Sequence, residues 1–302
     1  MSTPSRSSAG VELAEHRAIK VTIVGLNFAP ERSGIAAYTT ALSEGLAESG
    51  MSVHAVTGYP HYPGSRVYEG YSRKLPVERH NGVVITRVRH FVRPSPRRAN
   101  RFFTELTFGL GLLFTRWRRP DVTILVSPAW LSSAIASIRA RLFDIPICIW
   151  VQDVGAQDGS RDKQRGNEAT QLLTRIERYC LSSATTIVVV HERVKQQLVS
   201  ELHIPSDRIE VVRNWSSVPL SPGRPRLVVR AEFGWMPDDI VVLNYGGATE
   251  DQGIDSVIQA SERASESGSK VRFVVFADGE RNLENTRLDY RAPPADKTLM
   301  EM

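Results

Sequence analysis

Thiols are scarce in this chain. Its 302 residues include only two cysteines, Cys148 and Cys180, too few for a disulfide scaffold and in keeping with a reducing cytosol. Cys148 lies in an apolar strand and Cys180 near a helix end, and both read as packing residues. No apolar run reaches the roughly 18 residues a membrane-spanning helix needs. Residues 1–10 are serine-rich with no apolar centre, which argues against a secretory signal and reads as a tail. The dinucleotide fingerprint G-x-G-x-x-G is absent, which speaks against an NAD-dependent enzyme. So is the nucleophile elbow G-x-S-x-G. His54, His61, His80, His90 and His191 lack metal-ligand spacing, so no metal is expected.

What is present is ordinary for a globular protein: 41% hydrophobic and 24% charged residues. The net charge of +5 points to phosphate-bearing substrates, an anionic membrane or nucleic acid. No RNA- or DNA-binding motif accompanies it, so no nucleic-acid partner is expected.

The chain opens on an apolar strand through Val21, Ile23, Val24 and Leu26. A loop from Asn27 to Gly34 follows, and then a helix with Ile35, Tyr38, Leu42 and Leu46 on one face. A strand that ends in a glycine-containing loop and feeds a helix N-terminus offers free N–H groups to an anion. It is equally the look of any first βα unit. The alternation continues, with strands over 53–57, 83–88, 122–126, 145–151, 186–190 and 209–212, and helices over 99–117, 131–143, 170–181 and 193–202. This predicts a doubly wound α/β sheet. Prolines 219, 222 and 225 and Gly223 then mark an interdomain linker. Beyond it, strands over 240–245 and 271–277 flank a helix over 253–264, and the pattern fades from Asp278. Two strands and one helix are little for a self-sufficient core, so the second domain reads as incomplete.

Four features carry chemistry. Gly246, Gly247 and Gly253 repeat the opening device after a second-domain strand. They would let a diphosphate approach the backbone, and the two glycine mouths would bound a cleft; a plain strand–helix turn would need glycine too. Asp153 closes the run Trp150–Val151–Gln152–Asp153 at a strand's carboxyl end, where a carboxylate holds a sugar hydroxyl or caps a turn. Arg213 and Asn214 end another strand, where an arginine suits phosphate and both suit a turn. Finally, Arg97, Arg98, Arg101, Arg116, Arg118 and Arg119 bracket an apolar helix. Such a helix suits the interface of an anionic membrane or the cover of a sheet with its arginines in water.

These residues resemble family 4 glycosyltransferases of the two-domain GT-B fold, and among them the branch that builds exopolysaccharides of the colanic-acid type. The likeness is carried by NFAPERSGIAAYT from Asn27 to Thr39, YPHYP from Tyr59 to Pro63, WVQD from Trp150 to Asp153, RNWS from Arg213 to Ser216, and GGATEDQGID from Gly246 to Asp255. It runs from about Lys20 to Glu280. Where many members carry an arginine and a lysine in the donor-phosphate loop, this chain has Gly247 and Gln252. The family's paired-glutamate motif is not reached before Met302, and the chain is about a hundred residues short of a typical two-domain size.

The resemblance implies two Rossmann-like domains with doubly wound parallel sheets, the second incomplete: a disordered tail over 1–18, an acceptor domain over 19–215, a linker over 216–234 and a partial nucleotide-sugar-binding domain over 235–302. It implies a retaining hexosyltransferase that moves a sugar from a nucleotide-diphosphate sugar, its donor substrate, to a lipid-linked or polysaccharide acceptor, with no other cofactor. The setting would be cytoplasmic, peripheral at the membrane's inner face through residues 97–119. Ser33, Gly34, Tyr38, His61, Arg213 and Asn214 would bind substrate, Gly246, Gly247, Gln252 and Gly253 the donor phosphates, and Asp153 would position. The alternative is a truncated, non-catalytic chain that keeps only acceptor binding.

Overall fold

The computed structural model describes residues 17–31, 34–62, 64–71, 77–93, 98–152, 168–215, 224–245, 254–276 and 288–291. The chain divides into two compact units, Met1–Trp215 and Ser216–Met302.

The first unit carries eight strands: β1 Lys20–Gly25, β2 Ser52–Gly58, β3 Val77–His80, β4 Val83–Val88, β5 Val122–Val126, β6 Ile147–Val151, β7 Thr186–Val189 and β8 Ile209–Val211. They form one sheet in the order β3-β4-β2-β1-β5-β6-β7-β8. Every neighbouring pair is parallel except the β3–β4 hairpin. Among the described residues five α-helices connect the strands: α1 Ile35–Glu48, α2 Arg98–Phe114, α3 Trp130–Leu142, α4 Glu168–Ser183 and α5 Glu192–Leu202.

Strand side chains alternate between faces, and the sheet therefore has two cores. Val21, Ile23, Val53, Ala55, Val83 and Ile85 pack under Ile35, Tyr38, Leu42 and Leu46 of α1, the four residues whose spacing predicted that face. On the other side Val24, Val56, Val88 and Leu125 meet Phe108 and Leu112 of α2, Trp130 and Ala136 of α3, Leu181 of α4 and Leu198 of α5. Burying a large aliphatic side chain contributes roughly 1.5–3 kcal/mol, so these two layers hold the strand ends in place.

The second unit has a three-stranded parallel sheet ordered β11-β10-β9, from β9 Ile240–Tyr245, β10 Val271–Phe276 and β11 Leu288–Arg291, with helices α6 Arg226–Phe233 and α7 Ile254–Glu266. Trp235, Val274 and Phe276 form one small core. Ile254, Val275 and Leu288 form another.

Several elements differ from the expectation. Residues 226–233, assigned to the linker, are helical: Pro225 precedes α6 and Gly234 ends it in the left-handed region at φ 70°, the usual proline-in, glycine-out pairing. β11 lies beyond Asp278, where the strand–helix pattern fades, and β3 has no counterpart among the expected strands. β6 starts at Ile147 rather than Ile145, because Pro146 has no N–H for the ladder. α2 stops at Phe114 rather than Trp117. The Arg139 guanidinium takes the carbonyls of Leu112 and of Leu113, the latter at 2.8 Å, which would otherwise accept from residues 116 and 117. Arg17, read as tail, pairs with Asp121; residues 1–16 lie outside the described residues.

Candidate functional site

Polar groups converge where β1, β2, β4, β6 and β8 end in the first unit. At the centre is Glu31, on the loop after β1 and only 3% exposed. Its Oε1 accepts from the backbone N–H of His61 at 2.6 Å and of Tyr62 at 2.8 Å, and its Oε2 from Asn27 Nδ2 at 2.8 Å. A buried carboxylate needs such donors. Glu31 thereby ties the first loop to the YPHYP loop.

A buried cation fixes the same two loops from below. Arg87 on β4 donates to Glu78 Oε1 at 2.6 Å, to the Gly58 carbonyl at 3.3 Å and to the Ala29 carbonyl. Its guanidinium lies 5.4 Å from the Tyr71 ring centre and 5.9 Å from that of Phe28. Glu78 sits on β3, so the hairpin that the sequence concealed supplies the counter-charge.

His61 is 14% exposed at its side chain. Its Nδ1 lies 2.9 Å from the Tyr59 carbonyl and 3.6 Å from Glu31 Oε1. That carbonyl can only accept, so Nδ1 carries the hydrogen and Nε2 is left as an acceptor. The His90 ring stands edge-on to His61, with centres 4.9 Å apart. Burial, then the neighbouring His61, lowers His90 to about 4, against the opposing bond to the Val88 carbonyl, so His90 is neutral at pH 7. Any side chain at Gly58 would collide with it, since a Cβ there would stand 2.7 Å from His90 Cε1.

A second cluster joins the WVQD and RNWS runs. Trp215 stacks on Trp150 with ring centres 5.9 Å apart and planes at 12°, and meets Tyr38 edge-on, also at 5.9 Å. Gln152 and Asn214 pair through both amides, at 2.8 and 3.3 Å. The Gln152 N–H donates to Ser127 Oγ at 3.2 Å. Gly34 heads α1 at φ 60°, ψ −136°, with no side chain capping the helix. That geometry suits glycine, and an uncapped first turn is open to an anion.

Of the residues singled out in the sequence, Tyr38 and Asn214 thus belong to one aromatic–amide cluster and His61 to the Glu31 cluster. Gly34 begins the helix that carries Tyr38, and Arg213 is exposed beside Asn214. Ser33, Asp153, Gly246, Gly247, Gln252 and Gly253 lie outside the described residues. The sequence reading gave no role to Glu31, Arg87 or His90; Glu31 is the one acid in the loop from Asn27 to Gly34, which was the available signal for it. Burial pushes the Cys148 thiol up to about 11 and raises Cys180 as well, so neither is a ready nucleophile.

Within the arginine-bracketed helix, the half-exposed Arg101 side chain places its Nε 3.2 Å from Glu105 Oε1. Burial raises Glu105, against Arg101 and the Leu131 N–H that it accepts at 3.0 Å. α2 buries Phe108 and Leu112 and exposes Phe103, Leu110 and Phe114, the last by 89%. Arg97 and the side chain of Arg98 lie outside the described residues. Among the described residues no helix is long and apolar enough to cross a membrane.

Comparison with known proteins adds three findings. Residues 33–215 match the family described as glycosyl transferase 4-like domain. The chain is 26% identical over 306 aligned positions to a putative colanic acid biosynthesis glycosyl transferase, WcaI of Escherichia coli K12, covering 92% of this chain and 74% of that protein. Among solved structures, the catalytic domain of Arabidopsis thaliana starch synthase IV bound to ADP and acarbose superposes with a TM-score of 0.60 at 14% identity, covering 94% of this chain and 76% of that one. Anabaena HepE in complex with UDP and glucose gives 0.58 at 11% identity, covering 94% and 72%.

Proposed function

Because the chain belongs to the glycosyl transferase 4-like family and shares the α/β fold of GT-B glycosyltransferases, we propose that it transfers a hexosyl group from a nucleotide-diphosphate sugar to a lipid-linked or polysaccharide acceptor in exopolysaccharide synthesis. The observation that carries this reading is the match to a colanic acid biosynthesis glycosyl transferase along 92% of the chain. The nucleotide donor is supported by the UDP, glucose and ADP bound to the structural relatives. No observation favours a non-catalytic chain.

In the reaction the bond from the anomeric carbon to the diphosphate oxygen breaks. The acceptor hydroxyl oxygen bonds to that carbon, and the hydroxyl proton passes to the departing phosphate oxygen. If the new bond forms on the face the leaving group vacates, configuration is retained and no strong protein base is needed. Positive charge grows on the sugar and negative charge on the diphosphate, so fixed N–H donors have most to stabilise there. Gly246, Gly247, Gln252 and Gly253 would be such donors to the donor phosphates, and Gly34 heads an uncapped helix within the first unit. His61 offers Nε2 to another hydroxyl of the acceptor, next to the reacting one. What supports this is the hydrogen-bonding of its other ring nitrogen to Tyr59, which fixes the tautomer. Tyr38, Arg213 and Asn214 line the sugar's approach with Ser33, and Asp153 orients a hydroxyl. The exposed apolar face of α2 meets the cytoplasmic membrane surface, where a lipid-linked acceptor would be found.

The test is turnover with a panel of UDP-, GDP- and ADP-sugars and both acceptor types. Acceptor-dependent release of one nucleoside diphosphate, with product of the donor's anomeric configuration by NMR, is the expected result. No release across the panel overturns the transferase assignment, and inverted product overturns the retaining mechanism alone.

A further inference from the structure

A cavity of about 1190 Å³ opens at the other edge of the first unit's sheet, where β1, β2 and β4 begin. It is closed by the 116–120 turn after α2 and by the turn that follows α3. It lies at the opposite ends of the strands from the clusters described above and takes no part in them.

Its rim is cationic. Lys20, Arg116, Arg118, Arg119 and Arg139 line it, against one carboxylate, Asp144. Arg118 and Arg119 are exposed and stand consecutively at φ 46° and 47°, a conformation that costs roughly 1–2 kcal/mol for each side-chain-bearing residue. The floor is polar where a sheet this deep is normally apolar. Thr22 and His54, neighbours across β1 and β2, both line it. His54 is 3% exposed and Trp117 4%, and both line the cavity. His54 Nε2 meets Thr86 Oγ1 at 2.8 Å. His54 Nδ1 and the Trp117 indole N–H have no hydrogen-bond partner among the described residues, an expensive condition for buried polar atoms.

These features select the ligand's chemistry. Five cations repel a metal ion or an amine. An apolar ligand would leave the two ring nitrogens unpaired. The indole can only donate, and the imidazole donates from Nδ1 when the Thr86 hydroxyl donates to Nε2. Burial and the charge of Arg118 keep that imidazole neutral, at about 4. Guanidinium forks above a polar, uncharged floor suit an oxyanion, and phosphate is one that a guanidinium holds bidentately. We propose that this cavity is a second, non-catalytic anion site that takes a phosphate ester, presented by a soluble metabolite or by a membrane lipid headgroup.

The test is calorimetric titration of the full chain with inorganic phosphate, paired with sedimentation on phosphatidylglycerol vesicles. Arg118→Gln/Arg119→Gln is expected to weaken phosphate binding at least tenfold, about the loss of one charge-assisted contact, and His54→Leu severalfold. Arg213→Gln, at the opposite edge, should leave it unchanged. Thermal denaturation checks that each variant is folded; should the double variant not fold, His54→Leu decides. Vesicle binding that depends on Arg118 and Arg119 and is displaced by phosphate assigns the lipid source. Phosphate binding without vesicle binding assigns the soluble one. The proposal fails if the double variant binds phosphate as the parent does, if Arg213→Gln abolishes binding, or if the parent binds neither probe.

Discussion

Glu31→Ala should unfasten two loops at once. The carboxylate accepts from two backbone N–H groups and one side-chain amide at 2.6–2.8 Å while only 3% exposed. Hydrogen bonds to a charged group contribute about 1.5–3 kcal/mol, and each buried N–H left unpaired costs about 1–3 kcal/mol. Water entering the vacated space recovers part of that, so the net loss is about 3–5 kcal/mol. For a unit of this size each kcal/mol lowers Tm by roughly 2–4 °C, which gives a fall of about 10 °C. Glu31→Gln keeps one carbonyl for the His61 and Tyr62 amides but turns an NH₂ toward Asn27, and should lose only about 1–2 kcal/mol. Amide hydrogen exchange localises the effect. In the alanine variant the His61 and Tyr62 N–H groups should lose protection before the β1 and β2 amides do. The KM for acceptor should rise more than that for the nucleotide-sugar. A Tm within a degree of the parent, or unchanged protection at His61 and Tyr62, would refute the idea that Glu31 holds these loops.

Two further outcomes follow from α4 and α2. Burial, then the like charge of Glu201, raises Glu177 to about 7, against an ordinary 4.5. The unfolded chain therefore ionises Glu177 first, and the stability it lends below pH 4.5 is lost as pH climbs through 7. Glu177→Gln should raise Tm at pH 8, by about 1–2 kcal/mol of stability after discounting its partial exposure, and leave it unchanged at pH 4.5; equal effects at both values would contradict this origin. On α2, Phe103→Ser with Phe114→Ser should weaken vesicle binding about tenfold or more, from the apolar area each ring would bury. Sedimentation equal to the parent's would remove α2 as the membrane face.

The first unit was legible in the sequence because its signals are local. Ile35, Tyr38, Leu42 and Leu46 recur at helical spacing, and Val122–Val126 is an apolar run of strand length. The order of the NFAPER, YPHYP, WVQD and RNWS runs pointed to the family. What escaped depends on contacts distant in sequence. Val77–His80 reads as polar, VERH, and becomes a strand because it pairs antiparallel with β4 and lends Glu78 to Arg87. Leu288–Arg291 is a strand through its register with Phe273–Phe276. The helix Arg226–Phe233 was hidden behind the prolines that introduce it. At the site, sequence order brought Trp150 and Trp215 under suspicion separately, but only the fold stacks them. Glu31 and His61 are thirty positions apart and meet because parallel β1 and β2 end side by side.

Arg87 fixes the loops from outside them. Its three hydrogen-bonding nitrogens reach the carbonyl that closes β2, a carbonyl in the first loop and a carboxylate on the outermost strand. Lysine, a single ammonium, could not span that set. The two segments that frame the site's entrance are thus pinned through main-chain oxygen atoms, which every amino acid possesses. Side chains such as those of Tyr62 and Pro30 can be exchanged while the frame keeps its position. If these loops take the acceptor as proposed, its preference is open to re-engineering by rewriting loop residues, provided this guanidinium, its strand partner and Glu31 are left intact.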